Sequence, residues 1–224
     1  NEFVDNNIQG FYNLIDVAKK YRIKRIIYAS SSSIYGDSKK FPLDETQKVK
    51  PKNIYALSKK INEEMAEVFS RQYSISFIGL RFFTVYGEWG RPDMFLMKYL
   101  TSSYNKKSNF YLNNYGKHTR DFTYILDVSK IISKLVFSKK KFSHEIFNVC
   151  SNKPKKLTDL IEKINSLTLK KPKLLKRKLQ QADVVKTHGA NKKIKSFIGN
   201  QTFTSINVGL KNTIEWFKEY YKIH

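Results

Sequence analysis

Tyr55 and Lys59 stand four residues apart in the segment Tyr55-Ala56-Leu57-Ser58-Lys59. That interval puts both side chains on one face of a helix, one turn apart. A phenol ordinarily gives up its proton at about pH 10. An ammonium within a few ångströms favours the phenolate and makes tyrosine a usable base nearer neutrality. Upstream lies a run of four serines, Ser30 to Ser33, whose hydroxyls can share a proton in flight and orient a substrate oxygen. A lone Tyr-x-x-x-Lys is a common accident of an exposed helix. A strand, a serine run, a loop and then the pair is a far more specific order. The histidines, His118, His144, His188 and His224, are scattered singly and Cys150 is the only cysteine, so no metal-ligand spacing exists. No Gly-x-Ser-x-Gly elbow is present either. The chemistry on offer is proton transfer through hydroxyls, without a metal.

The elements around these residues alternate between two periods. Val4, Ile8, Phe11, Ile15 and Ala18 mark an amphipathic helix over 4–20. A short apolar strand over 24–29 runs into the serines. A polar loop with Pro42 and Pro51 leads to a long helix over 53–72, with Ile54, Leu57, Ile61, Met65 and Val68 expected on its core face. A second strand covers 75–83. Helix–strand–helix–strand alternation indicates parallel strands joined by crossovers, hence an α/β fold. Beyond Gly87 we expect helices over 94–104, 127–138, 158–167 and 205–221, the last with Ile206, Leu210, Ile214 and Phe217 inward. Extended pieces are expected at 110–112, 121–124 and 145–149. Residues 1–87 then form part of a nucleotide-binding-type sheet, and 88–224 mix its remaining strands with a smaller lobe. Ligands of such sheets sit at the carboxyl ends of the strands, where the serine run and the segment after Phe83 would meet.

Composition narrows the classes. The 224 residues carry a formal charge of +23 with 41% hydrophobic residues, enough apolar material for a core. Only seven of the 42 basic residues are arginine, whereas sequence-reading nucleic-acid binders lean on that planar fork. The densest basic stretch, 170–178, interleaves no aromatic for base stacking. The charge therefore reads as a solvated lysine surface that attracts anionic substrates, and nucleic acid is not the expected partner. No apolar run approaches the roughly 18 residues that span a bilayer. The first ten residues lack a secretory pattern, and with a single cysteine the expected compartment is the cytoplasm.

At Tyr28-Ala29-Ser30-Ser31-Ser32-Ser33-Ile34-Tyr35-Gly36, at Tyr55-Ala56-Leu57-Ser58-Lys59-Lys60, at Gly79-Leu80-Arg81-Phe82-Phe83-Thr84-Val85-Tyr86-Gly87 and at Arg120-Asp121-Phe122-Thr123-Tyr124, the chain resembles the extended short-chain dehydrogenase/reductase family of nucleotide-sugar-modifying enzymes. The resemblance runs from Asn7 to the C-terminal helix. Through the continuation Glu88-Trp89-Gly90-Arg91-Pro92-Asp93-Met94 it is most like that of the UDP-glucuronate 4-epimerases. It implies a Rossmann-like doubly wound parallel sheet with a smaller C-terminal substrate lobe, NAD as cofactor and a UDP-sugar as substrate. Tyr55 would remove the proton of the sugar 4-hydroxyl while the C4 hydride passes to NAD. A 4-keto sugar would turn over and take the hydride back on its other face. Ser31 matches the catalytic Ser/Thr of the family, and Lys59 would hold the nicotinamide ribose and depress the Tyr55 pKa. By the same resemblance Asn7 contacts the cofactor and Phe82 lies beside the nicotinamide. Ser32, Ser33 and Thr84 face the hexose and Arg120 the diphosphate. Gln180 and Asp183 reach the nucleotide, although Gln181-Ala182 stands where relatives carry Pro-Gly. Leu126 replaces a common acidic residue. A homodimer through the helices over 4–20 and 53–72 is implied in the same way.

The reaction can be narrowed further. Dehydrating relatives carry an Asp-Glu pair after the catalytic hydroxyl, because eliminating water needs an acid and a base, and decarboxylating relatives carry a Glu at the position of Ser33. Serines at 32 and 33 suit an epimerase, with Arg91 as electrostatic partner of a C5 carboxylate. The alternatives are a UDP-hexose 4-epimerase indifferent to that carboxylate, and a basic, non-catalytic interaction protein descended from such an enzyme. None of the nine glycines builds a Gly-rich strand–turn–helix for a pyrophosphate. The family fingerprint lies upstream of the segment matching Asn7, and the chain has no initiator Met. The expectation is an N-terminally truncated stretch that by itself is inactive and binds NAD weakly or not at all, which calorimetric titration checks.

Overall fold

The computed structural model describes residues 2–105, 108–180 and 183–223. The Gln181-Ala182 replacement lies outside them. A single π-helical stretch, Val4–Gln9, leads into α1, Gly10–Lys20. The predicted helix is therefore present, but its first turns are wound to a wider register.

β1 (Arg25–Ser31) takes in the first two serines, and the next two begin a 3₁₀ turn, Ser32–Tyr35. Gly36 ends that turn at φ 62, where a Cβ would collide with the Lys50 carbonyl. α2 (Ile54–Tyr73) starts at Asn53, whose side chain accepts from the Ala56 N–H at 2.8 Å and satisfies one of the orphan donors of the first turn. β2 (Ser76–Phe82) and β3 (Thr84–Tyr86) follow, then α3 (Phe95–Tyr104), β4 (Asn109–Leu112), β5 (Thr119–Tyr124) and α4 (Ile125–Val136). β6 (His144–Val149), β7 (Pro154–Lys156), α5 (Leu157–Thr168), β8 (Lys173–Lys176), α6 (Lys192–Ile198) and α7 (Ile206–Tyr220) complete the order.

β1, β2 and β6 form a parallel sheet in the order β1-β2-β6. The return of β6 to that sheet, after β3, α3, β4, β5 and α4, is the crossover that alternation predicted. One face packs Ile26, Tyr28 and Phe77 against Phe11, Ile15 and Ala18 of α1 and Ala66 of α2. The other packs Ile78, Leu80, Phe147 and Val149 against Val128, Ile131 and Leu135 of α4 and Ile194 of α6. Helices on both faces of a parallel sheet make this a doubly wound α/β architecture. Gly79 in the central strand leaves room for its neighbours, since a Cβ there would lie 2.5 Å from Ile146 Cδ1 and 2.6 Å from the Tyr28 hydroxyl. A second core joins α3, β4, β5, α5 and α7 around Tyr99, Leu100, Ile164 and Leu210. The smaller ladders are β3-β5-β7 and β4-β8.

The orientation of α2 corrects the sequence reading. Ile54, Leu57 and Val68 are exposed, and Ile61 and Met65 are only half-buried. The buried positions are Ala56, Ser58, Asn62, Glu63, Ala66 and Ser70. Small and hydrogen-bonded side chains let the helix approach the sheet closely, which leaves its bulkier apolar stripe outward. In α7, Leu210, Ile214 and Phe217 are buried as expected, with Ile206 packed at the margin. No described helix is long and apolar enough to cross a membrane.

Candidate active site

The carboxyl ends of β1 and β2, the first turns of α2 and the segment after β3 enclose a cavity of about 500 Å³. Ser31, Ser32, Ser33, Tyr55, Lys59, Phe82, Thr84, Arg91, Arg120 and Asp183 all line it. Ten of the twelve residues singled out in the sequence thus meet at one crevice, drawn from segments far apart in the chain.

Each is held by local structure. Ser31 is buried at the last position of β1, and its Oγ accepts from the Ser33 N–H at 3.1 Å. That bond caps the 3₁₀ turn and aims Ser32 and Ser33 along the cavity wall. Tyr55 and Lys59 are both half-buried. The ammonium lies 6.0 Å from the Tyr55 ring centroid, and Phe3 packs on the ring's other surroundings at 5.6 Å. Burial lowers the Lys59 pKa, and the ammonium makes no ion pair among the described residues. A desolvated cation with unused donors, beside a phenol and serine hydroxyls, suits a polyhydroxylated ligand. That donor set fits the ribose of a nicotinamide nucleotide, with Phe82 alongside.

Asn7 does not line this cavity. Its amide nitrogen donates to Ser58 Oγ at 2.9 Å, behind the turn that bears Lys59. Gln180 lies instead in an adjoining cavity of about 900 Å³, which shares Thr84, Met94, Arg120 and Asp183 with the first. Arg120 stands at the junction, its Nη1 donating to the Thr119 and Val185 carbonyls at 3.1 and 3.0 Å. Burial pushes its pKa down, against the opposing pull of Asp183.

The larger cavity also gathers Lys98, His118 and Arg177, none of which the sequence reading singled out. Arg177 sits 3.5 Å over the Tyr111 ring. It is the one arginine in the lysine-rich stretch read as solvated surface, and that contrast was the available signal. His118 is buried with Nε2 3.8 Å from an Asp183 carboxylate oxygen. Burial, and then the charge of Arg120, lower its pKa. Arg91 is different again: its Nε and Nη2 donate to the Asp93 carboxylate at 3.0 and 2.5 Å, at the exposed lip of the smaller cavity.

Residues 1–150 match the family model described as the NAD dependent epimerase/dehydratase family. The chain belongs to that family. It is 41% identical over 219 residues to an uncharacterized protein of Methanocaldococcus jannaschii, covering 97% of this chain and 66% of that one. It is 36% identical to UDP-glucuronate 4-epimerase 2 of Arabidopsis thaliana, covering 98% of this chain and 54% of that one. The crystal structure of UDP-glucuronic acid 4-epimerase from Bacillus cereus, in complex with UDP-glucuronic acid and NAD, matches with a TM-score of 0.90 at 25% identity, over 97% of this chain and 69% of that chain. The chain thus spans two thirds or less of the length of those two curated relatives. The family resemblance and the α/β fold read from the sequence are both borne out.

Proposed function

We propose that the protein carrying this chain is an NAD-dependent 4-epimerase of a UDP-linked uronic acid, interconverting UDP-glucuronate and its C4 epimer. The observation that carries the reading is the single crevice in which Tyr55, Lys59 and the Ser31 hydroxyl converge with Arg91 and Arg120. Names of relatives that act on UDP-glucuronate support it.

In this reading Tyr55 Oη accepts the proton of the sugar 4-hydroxyl and returns it after the hydride comes back. Ser31 Oγ hydrogen-bonds the same sugar oxygen and fixes its approach. Lys59 holds the ribose hydroxyls with ammonium donors that are unpaired among the described residues. Phe82 walls the nicotinamide, and Asn7 acts from behind through Ser58. NAD, when bound, supplies the acceptor and donor for the C4 hydride. Arg120 at the junction of the two cavities meets the diphosphate, and Gln180 and Asp183 meet the nucleotide in the larger one. Ser32, Ser33 and Thr84 hydrogen-bond the hexose without removing a group from it, which separates this site from a dehydratase. The boundary after residue 87 then divides a cofactor-binding portion from a substrate-binding one.

The test is the conversion of UDP-glucuronate to UDP-galacturonate, followed chromatographically with NAD present. Tyr55→Phe should abolish turnover by about 10²- to 10⁴-fold while leaving the fold intact by circular dichroism. An active Tyr55→Phe variant would end the proposal. A second reading, a UDP-hexose 4-epimerase, is favoured by the engagement of Arg91 with Asp93, and UDP-glucose in the same assay distinguishes it.

We also infer a homodimer. Leu14, Val17 and Tyr21 of the α1 region and Ile54, Leu57 and Val68 of α2 are exposed on adjacent helices, a surface suited to a second copy of the chain.

A further inference from the structure

From Ser30 at the floor of the crevice, a row of polar side chains crosses the sheet where periodicity would place apolar ones. Ser30 of β1, Arg81 of β2 and Asn148 of β6 stand in register on adjacent parallel strands. All three are buried. Glu63 reaches them from α2. One of its carboxylate oxygens accepts from Ser30 Oγ at 2.5 Å and from Arg81 Nε at 2.9 Å, and the other accepts from Arg81 Nη2 at 2.8 Å. Arg81 Nη1 donates to the Tyr35 hydroxyl at 2.9 Å, and that hydroxyl donates to Asn148 Oδ1 at 2.8 Å. Burial pushes the Tyr35 phenol up to about 12, so it keeps the proton it donates. The Asn148 amide nitrogen closes the row on the Leu43 carbonyl at 2.9 Å.

A buried ion pair is weak evidence for stability, because desolvating both charges offsets their attraction and apolar side chains of equal volume would serve. What the arrangement does supply is register. A carboxylate held by both edges of a guanidinium has one geometry, whereas the buried Ala56 and Ala66 of α2 impose none. The members of the network are also placed next to the crevice. Glu63 follows Lys59 by one helical turn and Tyr55 by two, on the same stripe of α2. Ser30 immediately precedes Ser31, and Arg81 immediately precedes Phe82.

We propose that Glu63, Arg81 and Ser30 are positioning residues that clamp α2 to the ends of β1 and β2, fixing Tyr55 and Lys59 against Ser31. The clamp rests on the proposed role of Tyr55, and its test is arranged to separate the two. Ser30→Ala removes one donor on the β1 side and leaves the Glu63–Arg81 pair whole, so the fold is not put at risk by an unpaired buried charge. Ser30→Thr keeps a hydroxyl. Ser70→Ala, which deletes a buried hydroxyl whose one hydrogen bond among the described residues goes to the Glu67 carbonyl of its own helix, is the control.

Two measurements are made: backbone amide exchange over 30–33 and 55–59, and kcat and KM for UDP-glucuronate. In Ser30→Ala, exchange should accelerate in both segments together. Its kcat should fall by about tenfold to a hundredfold, as expected for sub-ångström to ångström misplacement, with KM unchanged. Ser30→Thr should restore both. The clamp is overturned if exchange is unaltered, if Ser70→Ala alters it equally, or if kcat is retained in Ser30→Ala while Tyr55→Phe is inactive. Lack of epimerisation by the wild type would end the functional proposal alone, with the exchange comparison still deciding the clamp.

Discussion

Replacing Arg91 by alanine probes the uronate preference, and the size of the effect follows from where the guanidinium sits. Its side chain is 74% exposed, and two of its N–H groups are committed to Asp93. A guanidinium has five N–H donors, so Nη1 can receive a sugar carboxylate while Asp93 stays in place. Unit charges 4 Å apart attract by about 1 kcal/mol in bulk water and about 4 kcal/mol at an effective dielectric of 20. The exposure of Arg91 puts it near the lower figure, and the Asp93 carboxylate opposes a second anion, in keeping with the small energies of exposed pairs. We therefore expect a loss of roughly 0.5 to 1 kcal/mol, about two- to fivefold. Arg91→Ala should lower kcat/KM for UDP-glucuronate by that factor relative to UDP-glucose, the ratio cancelling any general loss of active protein. Asp93→Asn should move the ratio the other way. A ratio unchanged by Arg91→Ala refutes the argument and leaves discrimination to Ser32, Ser33 and Thr84. A hundredfold loss refutes it too, since that is the size expected of a desolvated pair.

The pH dependence of stability has a definite sign. Burial lowers the pKa of both His118 and His144, so the folded chain holds them neutral while the unfolded chain protonates them at about pH 6.5. The unfolded state binds more protons below that point, and stability should fall as the pH drops from about 6.5 toward the lowered folded values. Urea midpoints at pH 7.5 and 5.5 check this; a His118→Gln midpoint that falls with acid as steeply as wild type assigns the effect elsewhere. The proposed dimer is checked by light scattering. Val17→Glu with Leu57→Glu should yield a monomer of unchanged circular dichroism, and a wild type that is already monomeric removes the proposal.

In the main sheet β2 was legible because it is buried on both faces and so reads as a short apolar run, whereas β6 is fully buried only over its last three residues. The phase of α2 was not legible. Periodicity reports which face of a helix is apolar, and a reader assigns that face to the chain's own core. In α2 the close approach to the sheet is made by Ala56, Ser58 and Ala66, while Ile54, Leu57 and Val68 face away. The unanticipated strand Lys173–Lys176 failed for a related reason: its pairing with Asn109–Leu112 is made by backbone groups, and three of its neighbours in sequence are lysines that read as solvated surface.

The site divides along the same line. Tyr55 and Lys59 were legible from their spacing together with the strand and serine run before them, because helical geometry converts an interval of four into proximity. Glu63 continues that interval, and Arg81 interrupts an apolar strand. Each was visible as an oddity, but no local period joins a helix position to a strand position 18 residues later. Only the fold makes them a pair, and only the register of three strands adds Ser30 and Asn148 to it. The groups with an expected role in proton transfer could be found in one dimension because they need mutual reach. Those that hold them there could not, because a clamp must join elements distant in sequence, and the distance that hides it from the reader is what lets it fix one element against another.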